Sequence, residues 1–483
     1  MKSQSEVIKK ASILIEERNY IRAKKILLDF LEDSKNIKLD IKFYYNLYLI
    51  SVGLKEIQKS KKYLEKCLKI NEKNHIVLNN LANIFLKEGN FFKAEKFYLK
   101  AFNLKNDYLL AVVNLAILYQ NIGRLDESKK FYLKAIELSP KRISIYFNLS
   151  RIDKNFIDDD KIKYLLNLLK NKNQEYSEIS YGYFLLAEHE RKKKNFDQEI
   201  EFLKKANKYS FTSMKKANEI TLNYWMNIIS KKYKNFKFTN DKNKNSLKNL
   251  KPIFIIGLPR SGSTITEALL SSANKNINSL GEASIFNGIM AKDFSDEKNI
   301  HIDIEIVTNK ILEILKNRNF NVKKNIFIDK SLENFFYIDV ILKVFPQAIF
   351  INTFRNIEDN IFAIFKQSLS KLSWTHSIED ILKYTDNYFK IIDYFTKKYP
   401  KKIFSIKLEE LTSNSEKIGK QLYSFCDLNW SDQVLDFHTR DDLLISTASN
   451  IQIRDNIKKY DKDKYKPYKS LLKKFKNNYK WLN

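Results

Sequence analysis

The sharpest chemical signal in the chain is Gly257-Leu258-Pro259-Arg260-Ser261-Gly262-Ser263-Thr264. It follows a short apolar run, Ile253-Phe254-Ile255-Ile256, and precedes a helical pattern over Ile265 to Ser271. A glycine-containing turn that feeds a helix start turns backbone N–H groups and the positive end of the helix dipole toward an anion. The frame matches G-x-x-x-x-G-K-[ST] except that Ser263 stands in the lysine slot. A nucleotide triphosphatase uses that lysine on the transferred phosphate and the next hydroxyl on magnesium. A loop with Arg260 ahead of it and Ser263-Thr264 inside it still cradles a phosphate, but it suits a metal-free donor. The plain alternative is a glycine turn with no ligand. The missing lysine argues against an ATP-using kinase, the remaining P-loop reading.

Further polar residues follow in one order. Gly281-Glu282 comes after the first helix, and Asp329-Lys330 with Asn334-Phe335 follows a second apolar strand. Phe345-Pro346-Gln347-Ala348 leads into a third strand, after which stand Arg355-Asn356 and Asp359. Leu435-Asp436-Phe437-His438, Ser446-Thr447-Ala448-Ser449, Gln452-Ile453-Arg454 and Lys464-Tyr465 close the series. Pro259-Arg260-Ser261-Gly262-Ser263-Thr264 after an apolar strand resembles the 5′-phosphosulfate loop of sulfotransferases. With Thr266-Glu267 and Gly281-Glu282 it is most similar to the tetratricopeptide-repeat sulfotransferases, relatives of the tyrosylprotein sulfotransferases. The resemblance covers nearly the whole chain.

The resemblance implies a donor, 3′-phosphoadenylyl sulfate (PAPS), used without a metal, and an acceptor hydroxyl on a protein, a glycan or a small alcohol. Arg260 and the loop amides from Ser261 through Gly262 and Ser263 to Thr264 would hold the 5′-phosphate. Arg355 would hold the 3′-phosphate, a task suited to a bidentate guanidinium. Ser449 and Lys464 would add contacts from the C-terminal loop. Lys330 would stabilise charge on the bridging oxygen. Glu282 would be the general base, by analogy with a matching Gly-Glu pair in the tyrosine-modifying relatives. The bland readings are a solvated loop carboxylate for Glu282 and a surface lysine paired with Asp329 for Lys330. Glu267 is expected to solvate a helix face, and His438 to be a hydrogen-bonded structural residue. Three positions depart from the family pattern: Ala363 where a serine is usual, Leu408 where a tyrosine is usual, and Leu332 where a proline is usual. Asn360 and Gln367 are candidate replacements for the missing polar contacts. The departures keep open a second function, an interaction protein whose nucleotide-binding domain is catalytically degenerate.

What positions these residues is an alternation of short apolar strands with helices after residue 251. It predicts an α/β domain with a mainly parallel sheet covered on both faces. Before it, Asn80-Leu81-Ala82 recurs as Asn114-Leu115-Ala116, Gly89 as Gly123, and Tyr98-Leu99-Lys100-Ala101 as Tyr132-Leu133-Lys134-Ala135, each at an offset of 34 residues. That is the tetratricopeptide period. Ala82 and Ala101 fall where paired helices approach closely, Tyr98 and Leu104 supply bulk toward the neighbouring repeat, and Pro140 stops a helix. Cys67 occupies a small-residue slot. The fold expected is therefore an all-α solenoid over residues 5–210, a bridging helix and linker over 211–250 with Trp225 and Met226 on its apolar side, and a P-loop α/β domain over 251–483. Terminal repeats of such arrays are atypical. The concave groove would capture a protein or peptide; the alternative is a scaffold or dimerisation surface.

Composition bounds the rest. The 483 residues exceed one ordinary domain, and 44% hydrophobic content allows sizeable cores. The formal charge of +29 comes from lysine spread over every segment and points to no nucleic-acid motif. Two distant cysteines make no disulfide framework, and the five histidines show no metal-ligand spacing. No uninterrupted apolar stretch reaches membrane-spanning length, and the first residues lack a signal-peptide core. The expected location is cytoplasmic.

Overall fold

The computed structural model describes residues 3–33, 37–240, 247–273, 277–291, 300–317, 320, 325–440 and 456–482. The chain forms two compact units, one of residues 1–119, 125–139 and 315–319, the other of 120–124, 140–314 and 320–483.

The first unit contains the helices Gln4–Glu16, Tyr20–Asp33, Ile41–Gly53, Ile57–Ile70, His75–Lys87, Phe91–Leu104, Leu109–Asn121 and Leu125–Leu138. Consecutive helices pack in pairs. Their close approach rests on small residues, and Ala82, Ala101, Ala116 and Cys67 are all buried. Gly89 takes the left-handed backbone at φ +75 that ends one helix. Asn74 caps the start of that same helix and Asn90 the start of the next, each through its side-chain oxygen. Tyr98 is buried, and its hydroxyl donates to Asn83 Oδ1 at 2.5 Å. Leu104 does not pack as expected: it is the last residue of its helix and faces solvent. Asparagines join neighbouring repeats laterally, with Asn114 Nδ2 donating to Asn79 Oδ1 at 2.9 Å and Asn80 Nδ2 to Tyr45 Oη at 3.0 Å.

Paired helices continue in the second unit as Ile143–Ile152, Asp159–Leu169, Tyr176–Lys192 and Phe196–Ser213. The last of these is fastened to the residues that follow. Asn207 Nδ2 donates to the Phe365 carbonyl at 3.0 Å, and buried Glu199 meets Lys366 Nζ at 2.7 Å and the Tyr468 hydroxyl at 2.6 Å. The bridging segment is helical from Lys215 to Lys232 with a π-helical turn at Tyr224–Ile228, and it buries Trp225 and Met226. The polar stretch read as linker holds a strand that its composition hides. This strand, β1 (Phe236–Thr239), alternates half-buried Phe236 and Phe238 with exposed residues.

The other strands are β2 (Ile253–Gly257), β3 (Asn278–Ser279), β4 (Ile300–Asp303), β5 (Phe327–Asp329), β6 (Ile349–Phe354) and β7 (Ile403–Lys407). β1 pairs in parallel with β4, and the rest form a parallel sheet of order β3-β5-β2-β6-β7. Every residue of β2 is buried, as a central parallel strand requires. Ile253 and Ile255 pack with the helices Ser263–Ser272 and Ser415–Phe425 on one face. Phe254 meets the rings of Phe286, Phe327, Phe345 and Phe350 on the other. Because the strands are parallel, the C-terminal ends of β5, β2 and β6 reach one edge. They deliver Lys330, the glycine loop and Arg355 side by side, where parallel sheets bind ligands.

Candidate active site

The loop after β2 is held by its own polar groups. Ser261 Oγ donates to the Leu258 carbonyl at 2.6 Å and lies 2.8 Å from Thr353 Oγ1 on β6. Asn360 Nδ2 donates to the Pro259 carbonyl at 2.8 Å, and Arg355 Nη1 to the Arg260 carbonyl at 3.2 Å. Gly257 has φ +140, and a Cβ there would stand 2.3 Å from the Thr353 carbonyl oxygen. Gly262 has φ +97, and a Cβ there would meet Leu408 Cδ1 at 2.8 Å. Arg260 is itself left-handed at φ +67, a conformation that costs a non-glycine residue about 1–2 kcal/mol and persists only where the surroundings impose it. The helix that follows begins at Ser263, earlier than its apolar pattern indicates. Gly262, Ser263 and Thr264 thus form its N-terminal turn.

A cavity of about 1780 Å³ opens in front of this loop, and Arg260, Gly262, Ser263, Thr264, Glu282, Arg355 and Lys464 line it. Its size exceeds one nucleotide. Helices before the sheet supply another wall through Phe147, Arg151, Phe184 and Arg191. Cations gather at the loop end. Burial and the neighbouring Arg355 press the Arg260 guanidinium below its ordinary pKa, and burial with Arg260, Arg191 and Arg355 does the same to Lys464. The Arg355 guanidinium lies 4.8 Å from the Tyr460 ring and 5.4 Å from the Tyr465 ring, and Nη2 donates to the Tyr460 hydroxyl at 2.8 Å. Its Nε is buried without a hydrogen-bond partner. A left-handed loop opening a helix, cations gathered on one wall and an unsatisfied guanidinium N–H together fit a multiply charged phosphate ligand.

The other end of the site is built around Lys330. Its backbone N–H donates to the Gly281 carbonyl at 2.9 Å, which docks the loop carrying Glu282 onto the end of β5. Lys330 Nζ donates to Glu282 Oε1 at 2.9 Å and lies 3.6 Å from Glu267 Oε2. The Lys330 side chain is 1% exposed, that of Glu267 2% and that of Glu282 54%. Burial works against the ammonium, but Glu267 and Glu282 together hold its pKa above the ordinary lysine value. Burial pushes the Glu267 carboxyl upward against the pull of Lys330. Asp329 is occupied elsewhere: its Oδ1 accepts from the Ser331 N–H and from Asn334 Nδ2.

Several expectations are corrected by this geometry. Lys330 is not a surface lysine paired with Asp329, and it does not line the cavity: it stands behind Glu282. The Ser261 side chain is off the cavity wall, its hydroxyl being spent inside the loop, so what is expected of Ser261 falls to its backbone amide. Glu267 does not solvate a helix face. It is buried and accepts from Ser279 Oγ at 2.5 Å. Of His438 the Nδ1 atom is buried without a hydrogen-bond partner, which leaves the expected hydrogen bond to its other ring nitrogen. Ser449 lies outside the described residues, as do the other residues of the block from Ser446 to Arg454. Asn360 is spent on the loop, whereas Gln367 reaches the cavity wall. Glu333 and Ser284, paired at 2.6 Å on that wall, carried no sequence signal, nor did Tyr460.

Among the described residues no cluster of three or more histidine, cysteine or acidic side chains is placed to hold a metal ion, and no helix is long and apolar enough to cross a membrane. Comparison with known proteins agrees with the two architectures. Residues 41–74, 76–108 and 111–142 each match the tetratricopeptide repeat, and residues 252–432 match the sulfotransferase family. A protein of Aquifex aeolicus (strain VF5), described only as uncharacterized, is 25% identical over 244 residues, which are 46% of this chain and 31% of that one. The chain thus spans about a third of that curated relative's length. Similar solved structures include Pseudomonas aeruginosa pilF, at 14% identity over 41% of this chain and 88% of that chain with TM-score 0.34. YrrB, a TPR protein with an unusual peptide-binding site, follows at 18% identity over 42% of this chain and 84% of that one with TM-score 0.27. The chain therefore carries tetratricopeptide repeats followed by a domain of the sulfotransferase family.

Proposed function

We propose that the protein transfers a sulfuryl group from PAPS to an acceptor hydroxyl. The observation that carries this reading is the convergence of Arg260, Arg355 and Lys464 on the glycine loop, beside a lysine held between two carboxylates. Arg260 and the amides of Gly262 to Thr264 take the 5′-phosphate, and Arg355, with its unsatisfied Nε, takes the 3′-phosphate. The acceptor oxygen attacks sulfur in line as the bond from sulfur to the bridging phosphate oxygen breaks. Glu282, the carboxylate open to the cavity, accepts the acceptor's proton. Neutralising Glu282 releases Lys330 from its shorter ion pair, so that its ammonium can meet the charge forming on the leaving oxygen. The acceptor enters along the wall made by the helices that carry Phe147 and Phe184, and the repeats before them serve a protein or peptide partner.

Adenosine 3′,5′-bisphosphate raises the melting temperature of the wild-type chain, and Arg355→Ala weakens its binding about 10- to 100-fold, the range of a lost charged hydrogen-bonding group. No shift at millimolar nucleotide overturns the proposal. The position of Lys330 behind Glu282 favours one other reading, a nucleotide-binding interaction protein without transfer. Transfer of labelled sulfate to cellular acceptor pools by wild type but not by Glu282→Gln excludes it.

A further inference from the structure

Two carboxylates face one buried ammonium, and they cannot have the same task. Glu282 sits on a loop with more than half of its side chain exposed, whereas Glu267 is sealed in the helix that begins at the donor loop. A base that takes a proton becomes neutral. If Glu282 were the only counterion of Lys330, the ammonium would then be left in a site with 1% exposure and no compensating charge. An unpaired buried charge is strongly destabilising. Glu267 is still there at that moment. It is also fixed in place: Ser279 Oγ donates to its Oε1 at 2.5 Å, which leaves Oε2 toward Lys330 Nζ at 3.6 Å. The same Ser279 hydroxyl accepts from the Gly281 N–H at 3.1 Å, so the loop bearing Glu282 and the inner carboxylate share one anchor.

We propose that Glu267 is the standing counterion of Lys330, a positioning residue that keeps the lysine protonated and aimed while Glu282 changes charge. The part of this statement that concerns turnover rests on the sulfuryl-transfer reading; the pairing itself does not. The ionisable groups acting on Lys330 are Glu267 from the helix and Glu282 from the loop, while Glu333 acts with Asp329 and Glu282. The sign of the pH dependence follows. In the wild type the folded-state pKa of Lys330 lies above its unfolded value, so its contribution to stability is fully present below the unfolded value and lost as pH rises through the folded one. In Glu267→Gln burial prevails and the folded value drops below the unfolded one. The protonated lysine then costs stability, and the cost fades as pH rises through that lower value.

The test uses the full chain. Melting temperatures of wild type, Glu267→Gln and Glu282→Gln are compared at neutral and alkaline pH. Glu267→Gln melts roughly 5 °C or more below wild type at neutral pH, and the gap closes by about half near pH 9.5. Glu282→Gln, whose carboxylate reaches water, changes by less than about 2 °C. A gap for Glu267→Gln that is absent, or equal at both pH values, overturns the pairing. If Glu267→Gln does not fold, Ser279→Ala takes its place, with a smaller shift of the same sign expected and no shift counting against the proposal. In turnover of PAPS, the alkaline limb of the rate profile moves acidward by about one pH unit in Glu267→Gln. KM for the donor stays within about twofold of wild type, and Glu267→Asp recovers part of the rate. An unmoved limb overturns the positioning role. Absence of donor turnover in the wild type overturns the sulfuryl-transfer reading and leaves the melting comparison to decide the pairing.

Discussion

At the loop end of the cavity burial and neighbouring guanidinium groups hold the pKa of Arg260 and Lys464 down, whereas across β2 two carboxylates hold that of the Lys330 ammonium up against burial. Both ends place cations at the C-terminal edge of the parallel sheet. The difference lies in where the compensating charge comes from. Around Lys330 the protein supplies it. At the loop end cation faces cation, a cost of folding that an anionic ligand relieves, so binding there stabilises the native state. One end is built to bind and the other to hold a charge steady while protons move.

The most severe way to break the comparison is through the backbone of the loop end. Gly257→Ala adds a Cβ 2.3 Å from the Thr353 carbonyl at φ +140. The expected loss is on the order of 3 kcal/mol or more, from backbone strain and overlap with a ladder carbonyl that cannot yield. A melting temperature within a few degrees of wild type would show that the loop is looser than its contacts indicate. Next is Glu282→Gln, for which the rate falls about 10²- to 10⁴-fold while binding of adenosine 3′,5′-bisphosphate stays within about twofold. This reverses the pattern of Arg355→Ala, which acts on binding. Equal losses of nucleotide affinity in the two variants, read by calorimetry, would mean that the ends do not act separately.

The loop end was the more legible of the two in the sequence, for a physical reason. Gly257, Arg260, Gly262 and Ser263 are contiguous, and a glycine-bearing turn between an apolar strand and a helix carries its chemistry in local backbone geometry. The repeats were equally legible because Ala82, Gly89 and Ala101 recur at a fixed period. Lys330 and Glu282 could be named singly, but not their contact, which depends on β3 and β5 lying side by side. Glu267 reads as an ordinary polar residue on a helix. Its burial follows from Ser279 and Lys330, neither of which is near it in sequence. β1 was hidden because its partner is a strand more than 60 residues away in a polar context. Glu199, within the helical array by pattern, meets Lys366 and Tyr468 through contacts that no periodicity encodes.

The smallest expected effect concerns Ala363. Read from the pattern, the missing serine hydroxyl weakens the donor site by about 0.5–1.5 kcal/mol. In the structure Ala363 is 5% exposed, lies within the helix Ile357–Phe365 and does not line the cavity. A hydroxyl at such a position turns most readily to the carbonyl four residues earlier in its own helix. Arg355, Lys464 and Gln367 already supply donors on the wall. Ala363→Ser is therefore expected to change affinity for adenosine 3′,5′-bisphosphate by less than about threefold, under 0.7 kcal/mol. A gain of tenfold or more would place the hydroxyl on the nucleotide. The loop end would then be a phosphate site lacking one of its donors, and the contrast with the fully compensated surroundings of Lys330 would widen.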